Sequence, residues 1–399
     1  MKKVLAVIMC IVMVFTMSAI GVSAKKAEKE LQFNSDGSFK IMQVSDLQDD
    51  MTLNPIAKDF IKAALIKENP DLIVLTGDNI AGYKCSSGFS PAIDRALCKK
   101  GIKEYMSIFE DYGKPVAMVF GNHDDDDNLV TKEELLQMYD KYSCFVGYDD
   151  APEIYGCGTY NLPILSSDGT KTAYNLWMFD SNTYDEVYGG YDFVHDDQVD
   201  WYINKSNELK RANGGVPVDS MAFQHIIVKE IWNTIEPCQA TDEGAYYFGE
   251  KLGYQRIKPS MYKAGNFKEW PCPGTQDSKQ FTAMLSQGDV RAMFFGHDHN
   301  NTFELTYQGI DLVATPGFTY NSYSNEDRGF RIINLNENDT STYETHILQW
   351  QDIYGDSWIA MNHYNMYAKE GEISGWDKFV AGLSYCLVHC IKSLFGYVF

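Results

Sequence analysis

The sequence predicts an α/β fold, and three observations carry that prediction. Short apolar runs of strand length recur at 41–44, 72–75, 116–120, 176–179, 221–223, 292–295 and 310–313. Between the early runs lie segments whose apolar residues repeat at helical spacing and open on recognisable start signals. Of 399 residues, 45% are hydrophobic, enough to fill a sizeable core. Strands alternating with helices are what an α/β sheet requires.

Taken in order, the chain opens on a processing segment. Lys2 and Lys3 give a positive start, 4–17 is an apolar run, and Val22-Ser23-Ala24 supplies small residues for cleavage after Ala24. Residues 1–24 therefore read as a signal peptide, with a retained N-terminal anchor as the alternative. The first helix starts at Asn54-Pro55, a cap followed by proline in the first turn. Ile56, Phe60, Ala64 and Leu65 recur on one face, and Pro70 closes the segment. Ser90-Pro91 repeats the start signal ahead of Ile93, Leu97, Tyr105 and Phe109. Thr131 and Glu134 have the spacing of a capping box. A further helix is expected over 196–211, with His195 at its start and Gly214-Gly215 at its end. The second half has more strand and loop character, with turn-rich sequence at 317–329. There Tyr320 and Tyr323 could wall a pocket, and Arg328 reads as a surface residue, with phosphate contact as the alternative. No linker is evident, so one domain is expected over 33–350.

Residues 351–399 form a C-terminal extension. Phe379, Leu383, Leu387, Ile391 and Leu394 fall on one face of an amphipathic helix. Such a helix docks on the domain or lies in a membrane interface. Lys392 and His389 argue against a full span.

The formal charge is −21, and removal of Lys2 and Lys3 makes it more negative still. So acidic a surface repels nucleic acid and anionic lipid over long range, which argues against nucleic-acid binding as a main role. An anionic substrate needs local positive charge, and a metal can supply it. Cys10 leaves with the signal, and Cys386 and Cys390 sit in the tail, so six of nine cysteines remain. In an exported protein an even count favours disulfides. The pairing expected among those open joins sequence neighbours: Cys85 with Cys98, Cys144 with Cys157, Cys238 with Cys272.

The chemistry follows the strands. After 41–44 comes Asp46-Leu47-Gln48, and after 72–75 comes Gly77-Asp78-Asn79. After 116–120 comes Gly121-Asn122-His123-Asp124. After 221–223 comes Gln224-His225, and after 292–295 comes Gly296-His297-Asp298-His299. Open α/β sheets bind ligands beyond the carboxyl ends of their strands, so these side chains can gather into one cluster. Carboxylate, carboxamide oxygen and imidazole together suit divalent or trivalent metals. In an extended stretch, residues two apart point to one side, so His297 and His299 are expected to face one way with Asp298 turned aside. A serine or cysteine hydrolase is disfavoured, because no G-x-S-x-G elbow and no paired Cys–His motif is present.

This series of strand endings resembles the calcineurin-like metallophosphoesterases, and within them a purple acid phosphatase-like branch known from plants and fungi. The closer likeness lies in FKIMQVSDLQ (39–48), DLIVLTGDNI (71–80), LWMFDSN (176–182), AFQHI (222–226) and MFFGHDHNNTF (293–303). It spans about residues 38–350 and leaves the tail outside. The resemblance implies two packed mixed β-sheets flanked by helices, a four-layer sandwich. It also implies two metal ions (manganese, iron or zinc) bridged by one aspartate and a water. By matching positions, Asp78 would be the bridge. Asp46 and His299 would hold the first metal, and Asn122, His225 and His297 the second. His123, with Asp124 beside it, would serve the leaving group, and Asn79 and Asn182 would touch substrate. The departure is Gln48, where the usual Asp-x-His pattern has histidine; a glutamine oxygen could ligate weakly or hold a ligated water. Ala81 stands where the iron-type purple enzymes carry a tyrosine, which argues against tyrosinate-iron chemistry.

In such a site, two cations about 4 Å apart clamp the phosphoryl oxygens and lower the pKa of bound water toward about 7. The resulting hydroxide attacks phosphorus, and a protonated His123 serves the leaving oxygen. The acidic run beginning at Asp124 would raise the His123 pKa. The sequence thus reads as an exported phosphoesterase acting on small phosphate mono- or diesters, secreted or extracytoplasmic, with membrane contact open through its tail. The alternative, motivated by Gln48, is a catalytically weak metal-binding or cell-surface interaction protein on the same fold.

Overall fold

Each apolar run becomes a strand that is covered on both faces. The computed structural model describes residues 30–49, 51–126, 129–355 and Leu383. The expected signal peptide, and the expected amphipathic helix apart from Leu383, lie outside the described residues. Ser38–Val44 pairs in parallel with Leu72–Thr76, and that strand in parallel with Val116–Val119. Gly329–Asn336 joins Ser38–Val44 antiparallel, with Asp339–Gln349 outside it, completing a five-stranded sheet. A second sheet has eight described strands. At its centre Thr172–Met178, Ser220–Phe223, Val290–Phe295 and Ile310–Ala314 run parallel. Tyr160–Leu165 and Glu304–Tyr307 add antiparallel pairings on either side.

The two-residue period of a strand explains the layering. Phe39, Ile41, Leu72 and Val74 of the first sheet meet Leu176, Met178, Met221, Phe223, Ala292 and Phe294 of the second in one shared core. The alternate residues Met42, Val44, Ile73 and Leu75 face outward onto Phe60, Tyr105 and Phe109 of two helices, Pro55–Glu68 and Pro91–Asp111. On the other sheet Trp177, Ala222, Met293 and Phe295 pack outward with Tyr202 and Met284 of Asp196–Ala212 and Gln280–Gln287. The order helix, sheet, sheet, helix is the four-layer sandwich. It also explains why the strands read as unbroken apolar runs: neither face of the central strands meets water.

The helix signals hold in detail. Asn54 Oδ1 accepts the Ile56 N–H at 3.0 Å, and Asn69 ends that helix with φ of 45°. Thr131 and Glu134 exchange side-chain-to-backbone bonds of 3.3 and 3.4 Å, closing the capping box. His195 sits at the start of Asp196–Ala212, its N–H donated to Gln198 Oε1 at 2.8 Å and its ring paired with Asp192 at 2.8 Å.

Two expectations need correction. No disulfide joins the six cysteines of the described domain. Cys85 and Cys98 do lie together in the core beneath the first sheet. The Cys85 thiol bonded to it, with burial, pushes the Cys98 pKa well above the usual thiol value. Arg328, expected at the surface, is 2% exposed and rests over the Tyr320 ring at 4.4 Å.

Polar side chains pin the two sheets together. Gln43 donates to Thr76 Oγ1 at 3.0 Å and accepts from Thr315 Oγ1 at 2.8 Å. Arg331, fully buried, reaches from the first sheet to Glu304 Oε1 at 2.9 Å and the Ala314 carbonyl at 2.8 Å in the second. Arg331→Ala would leave a largely buried carboxylate unpaired and is expected to cost about 3–5 kcal/mol. Urea unfolding reads this as a lower midpoint at constant slope; an unmoved midpoint would show the bridge to be dispensable.

Candidate metal centre

Parallel strands in both sheets end at one edge, and the turns beyond them carry the site. Asp46, Asp78 and His297 have left-handed backbones, with φ of 49°, 49° and 72°. Gln48 and Asn182 share this, at 41° and 66°. Such conformations cost energy in residues with a Cβ and persist only where the surroundings fix them. Here the fixing bonds are visible. Asp46 N–H donates to the Gly77 carbonyl at 3.1 Å, and Gln48 N–H to the Asp78 carbonyl at 2.8 Å. His297 N–H donates to Asp46 Oδ2 at 3.1 Å. The turn at His297 overrides the extended spacing assumed for His297 and His299. The two rings meet different partners, His297 through Nδ1 at His225 and His299 through Nε2 at Asp46.

Their acceptor atoms gather in a buried space. Single ligand atoms of Asp46, Asp78 and His225 lie within 4.8 Å of one another. His225 Nε2 is 3.3 Å from Asp78 Oδ2, 3.2 Å from Asn122 Oδ1 and 3.3 Å from His297 Nδ1. His299 Nε2 is 3.2 Å from Asp46 Oδ1. Hydrogen bonds behind the rings set the tautomers. His225 Nδ1 bonds the Thr76 carbonyl at 2.9 Å and His299 Nδ1 the Tyr323 carbonyl at 2.6 Å, so each turns its Nε2 toward the cluster. Asn122 donates its amide N–H to the Tyr184 hydroxyl at 3.1 Å, which leaves Oδ1 on the side of His225.

Oxygen and nitrogen acceptors crowded this closely require positive charge. Burial lowers the basicity of His225, but Asp78 and Asp46 outweigh it and raise its pKa to about 10. His297 is pushed the other way, to about 3, by burial and by His225. The His225 proton thus balances the carboxylates, and a metal ion binding there would displace it. Glycine makes the cradle possible. A Cβ on Gly77, whose φ is 86°, would stand 2.6 Å from His225 Nδ1, and one on Gly121 2.2 Å from Asp78 Oδ1. Gln48 adds a further sign of fit. It is 3% exposed, and its carboxamide oxygen is buried without a hydrogen-bond partner among the described residues. An uncompensated buried acceptor beside a ligand carboxylate suits a cation or its water.

Other expected residues hold the frame. Asp124 accepts the N–H groups of Asn79 at 2.9 Å, Ile80 at 3.1 Å and Gly121 at 2.8 Å. Burial and the Asp78 charge nonetheless push its pKa up to about 8. Its job is to tie two strand-end turns together, and the partner of His123 is Asp126, whose Oδ2 lies 2.7 Å from Nδ1. The sequence paired His123 with its neighbour Asp124 and did not single out Asp126 from the acidic run. Asn79 donates its amide to the Val119 carbonyl at 2.9 Å, and Asn182 to the Phe193 carbonyl at 2.7 Å. Both amides thus bond main chain inside the fold, where substrate contact was expected. Asp298 is turned aside as expected, and accepts the Cys272 N–H at 3.1 Å.

The protein is a two-sheet α/β sandwich with Asp, Asn and His side chains gathered at its strand ends as a candidate metal site. Residues 39–301 match the calcineurin-like phosphoesterase family model, and the chain belongs to that family of phosphoester hydrolases. It is 26% identical over 324 residues to "Probable inactive purple acid phosphatase 14" of Arabidopsis thaliana, with 74% of each chain covered. It is 28% identical over 355 residues to "Phosphatase DCR2" of Saccharomyces cerevisiae, covering 79% of this chain and 55% of that one. Among solved structures it is similar to a dimetal phosphatase from Danio rerio, at 14% identity and a TM-score of 0.45, covering 77% of this chain and 98% of that one. No helix among the described residues is long and apolar enough to cross a membrane.

Proposed function

We propose that this protein is an exported metal-dependent phosphoesterase of small phosphate mono- or diesters. In this reading 33–350 is the catalytic domain and 351–399 an appended segment open to peripheral membrane contact. The observation that carries it is the meeting of Asp46, Asp78, Asn122, His225, His297 and His299 around one buried, acceptor-lined space. Asp46 and His299, with Gln48 beside them, would hold the first metal, Asn122, His225 and His297 would hold the second, and Asp78 would contribute to both. Manganese, iron or zinc fits this mixture of oxygen and nitrogen donors. When bound, the pair supplies Lewis-acid activation of water and neutralises charge on the phosphoryl oxygens. The chain's own residues do the rest. The Thr76 and Tyr323 carbonyls hold the His225 and His299 rings in the ligating tautomer. Asp126 orients His123 through Nδ1, which leaves Nε2 to deliver a proton to the leaving oxygen. Export rests on the positive start, apolar run and small residues of 1–24.

A second reading keeps the metal and loses the turnover: a metal-binding or cell-surface interaction protein. It is favoured by Gln48 at the histidine position and by relatives whose names call them inactive. The test is elemental mass spectrometry of the mature protein, with parallel hydrolysis of aryl mono- and diesters under added manganese, iron and zinc. The expected result is about two metal equivalents per chain and metal-dependent turnover. Metal without turnover under any cation gives the second reading precedence, and failure to bind any metal sinks both.

A further inference from the structure

Four residues of the cluster each carry a tyrosine. Tyr83 meets the His123 ring edge-on at 5.5 Å, and Tyr191 meets His297 edge-on at 4.3 Å. Tyr323 lies flat on His299 at 4.2 Å, the planes 9° apart. Tyr184 takes the Asn122 amide on its hydroxyl and stacks on Tyr191 at 5.6 Å. These rings are not core residues. Tyr83, Tyr184 and Tyr323 are 36%, 40% and 47% exposed, so each rests partly on the cluster and shows the remainder to solvent. The ammonium groups of the surrounding segments are already engaged. Lys84 donates to the Asn321 carbonyl, Lys132 to Asp180, and Lys268 to Glu326 and Asp327. Among the described residues, the rim therefore offers a substrate exposed ring surface beside the candidate metal site.

We propose that the substrate is a phosphoester whose organic group is a planar aromatic ring, held by this tyrosine collar. The proposal rests on the phosphoesterase reading above and adds the class of group that the site selects. An aromatic group gains offset-stacked or edge-to-face contact with the exposed ring surface. A methyl group gains none of this.

The probes are phenylphosphonate, methylphosphonate and inorganic phosphate, titrated calorimetrically into the metal-loaded full chain. None has a phosphoester bond to hydrolyse, so binding is read without turnover. Phenylphosphonate is expected to bind about tenfold more tightly than methylphosphonate. In Tyr323→Leu and Tyr83→Leu that advantage is expected to shrink to about twofold. Equal affinity of the two phosphonates for the parent protein overturns the aromatic assignment and leaves the phosphoesterase reading standing. An equal loss for both phosphonates in the variants also overturns it, because the rings would then be supports for the ligands alone. If none of the three probes binds, the phosphoesterase reading fails and the proposal falls with it.

Discussion

Asp78→Asn is expected to empty the centre while the fold survives. The change keeps size and one acceptor, so the new carboxamide oxygen can still take the His123 N–H that Asp78 Oδ1 accepts at 2.7 Å. It removes the charge that faces His225 Nε2 at 3.3 Å and the atom that would be shared between two cations. We expect bound metal to fall well below the parent stoichiometry and kcat/KM to drop by about a thousandfold or more. Metal added to the parent should raise Tm by mass action, and that rise should vanish in the variant. Circular dichroism separates this outcome from misfolding. Parent-level metal content in a folded Asp78→Asn protein would remove Asp78 from the role of bridge.

Gln48→His is expected to act in the opposite direction. Gln48 is anchored by its N–H on the Asp78 carbonyl at 2.8 Å, and its side-chain oxygen is buried and unpaired. A neutral carboxamide oxygen is a weak donor to borderline metals, and imidazole is a strong one of similar size. Retention of the more weakly held cation should therefore rise by roughly 10- to 100-fold, read as metal content across a chelator titration. Turnover under limiting metal should rise with it. If parent and variant release metal at the same chelator concentration, position 48 lies outside the coordination sphere, and its unpaired oxygen needs another explanation.

Much of this molecule was legible in its sequence, for identifiable reasons. Strands buried on both faces must be apolar throughout, so runs such as 72–75 and 292–295 could be read directly. Asn54-Pro55 and Thr131 through Glu134 work through local hydrogen bonds, which a linear sequence displays. The ligand candidates were visible because each follows a strand. What could not be read depends on backbone turns and distant loops. The alternation argument for His297 and His299 assumed extended chain, and a left-handed His297 breaks it. Asp124 and Asp126 are indistinguishable in an acidic run until the turn sends one inward to three backbone N–H groups and the other to the His123 ring. Tyr184 and Tyr191 come from a loop with no periodicity, and only the fold brings them to Asn122 and His297. Gly329–Asn336 and Asp339–Gln349 form a hairpin whose outer strand is half-exposed, which hides it from a search for apolar runs.

The cluster draws Asp46, Asp78 and Asn122 from turns of the five-stranded sheet, and His225, His297 and His299 from turns of the eight-stranded one. Each sheet alone would therefore own half of the proposed coordination sphere, too few donors to compete for a scarce cation. On that reading, capture of metal would follow closure of the sheets over Gln43 and Arg331. A chain that docks its sheets wrongly stays blind to the ion however much is supplied. In a population of newly made molecules, the bound cation would count those that had closed correctly. Chelator-sensitive resistance to protease would be a direct way to read that count.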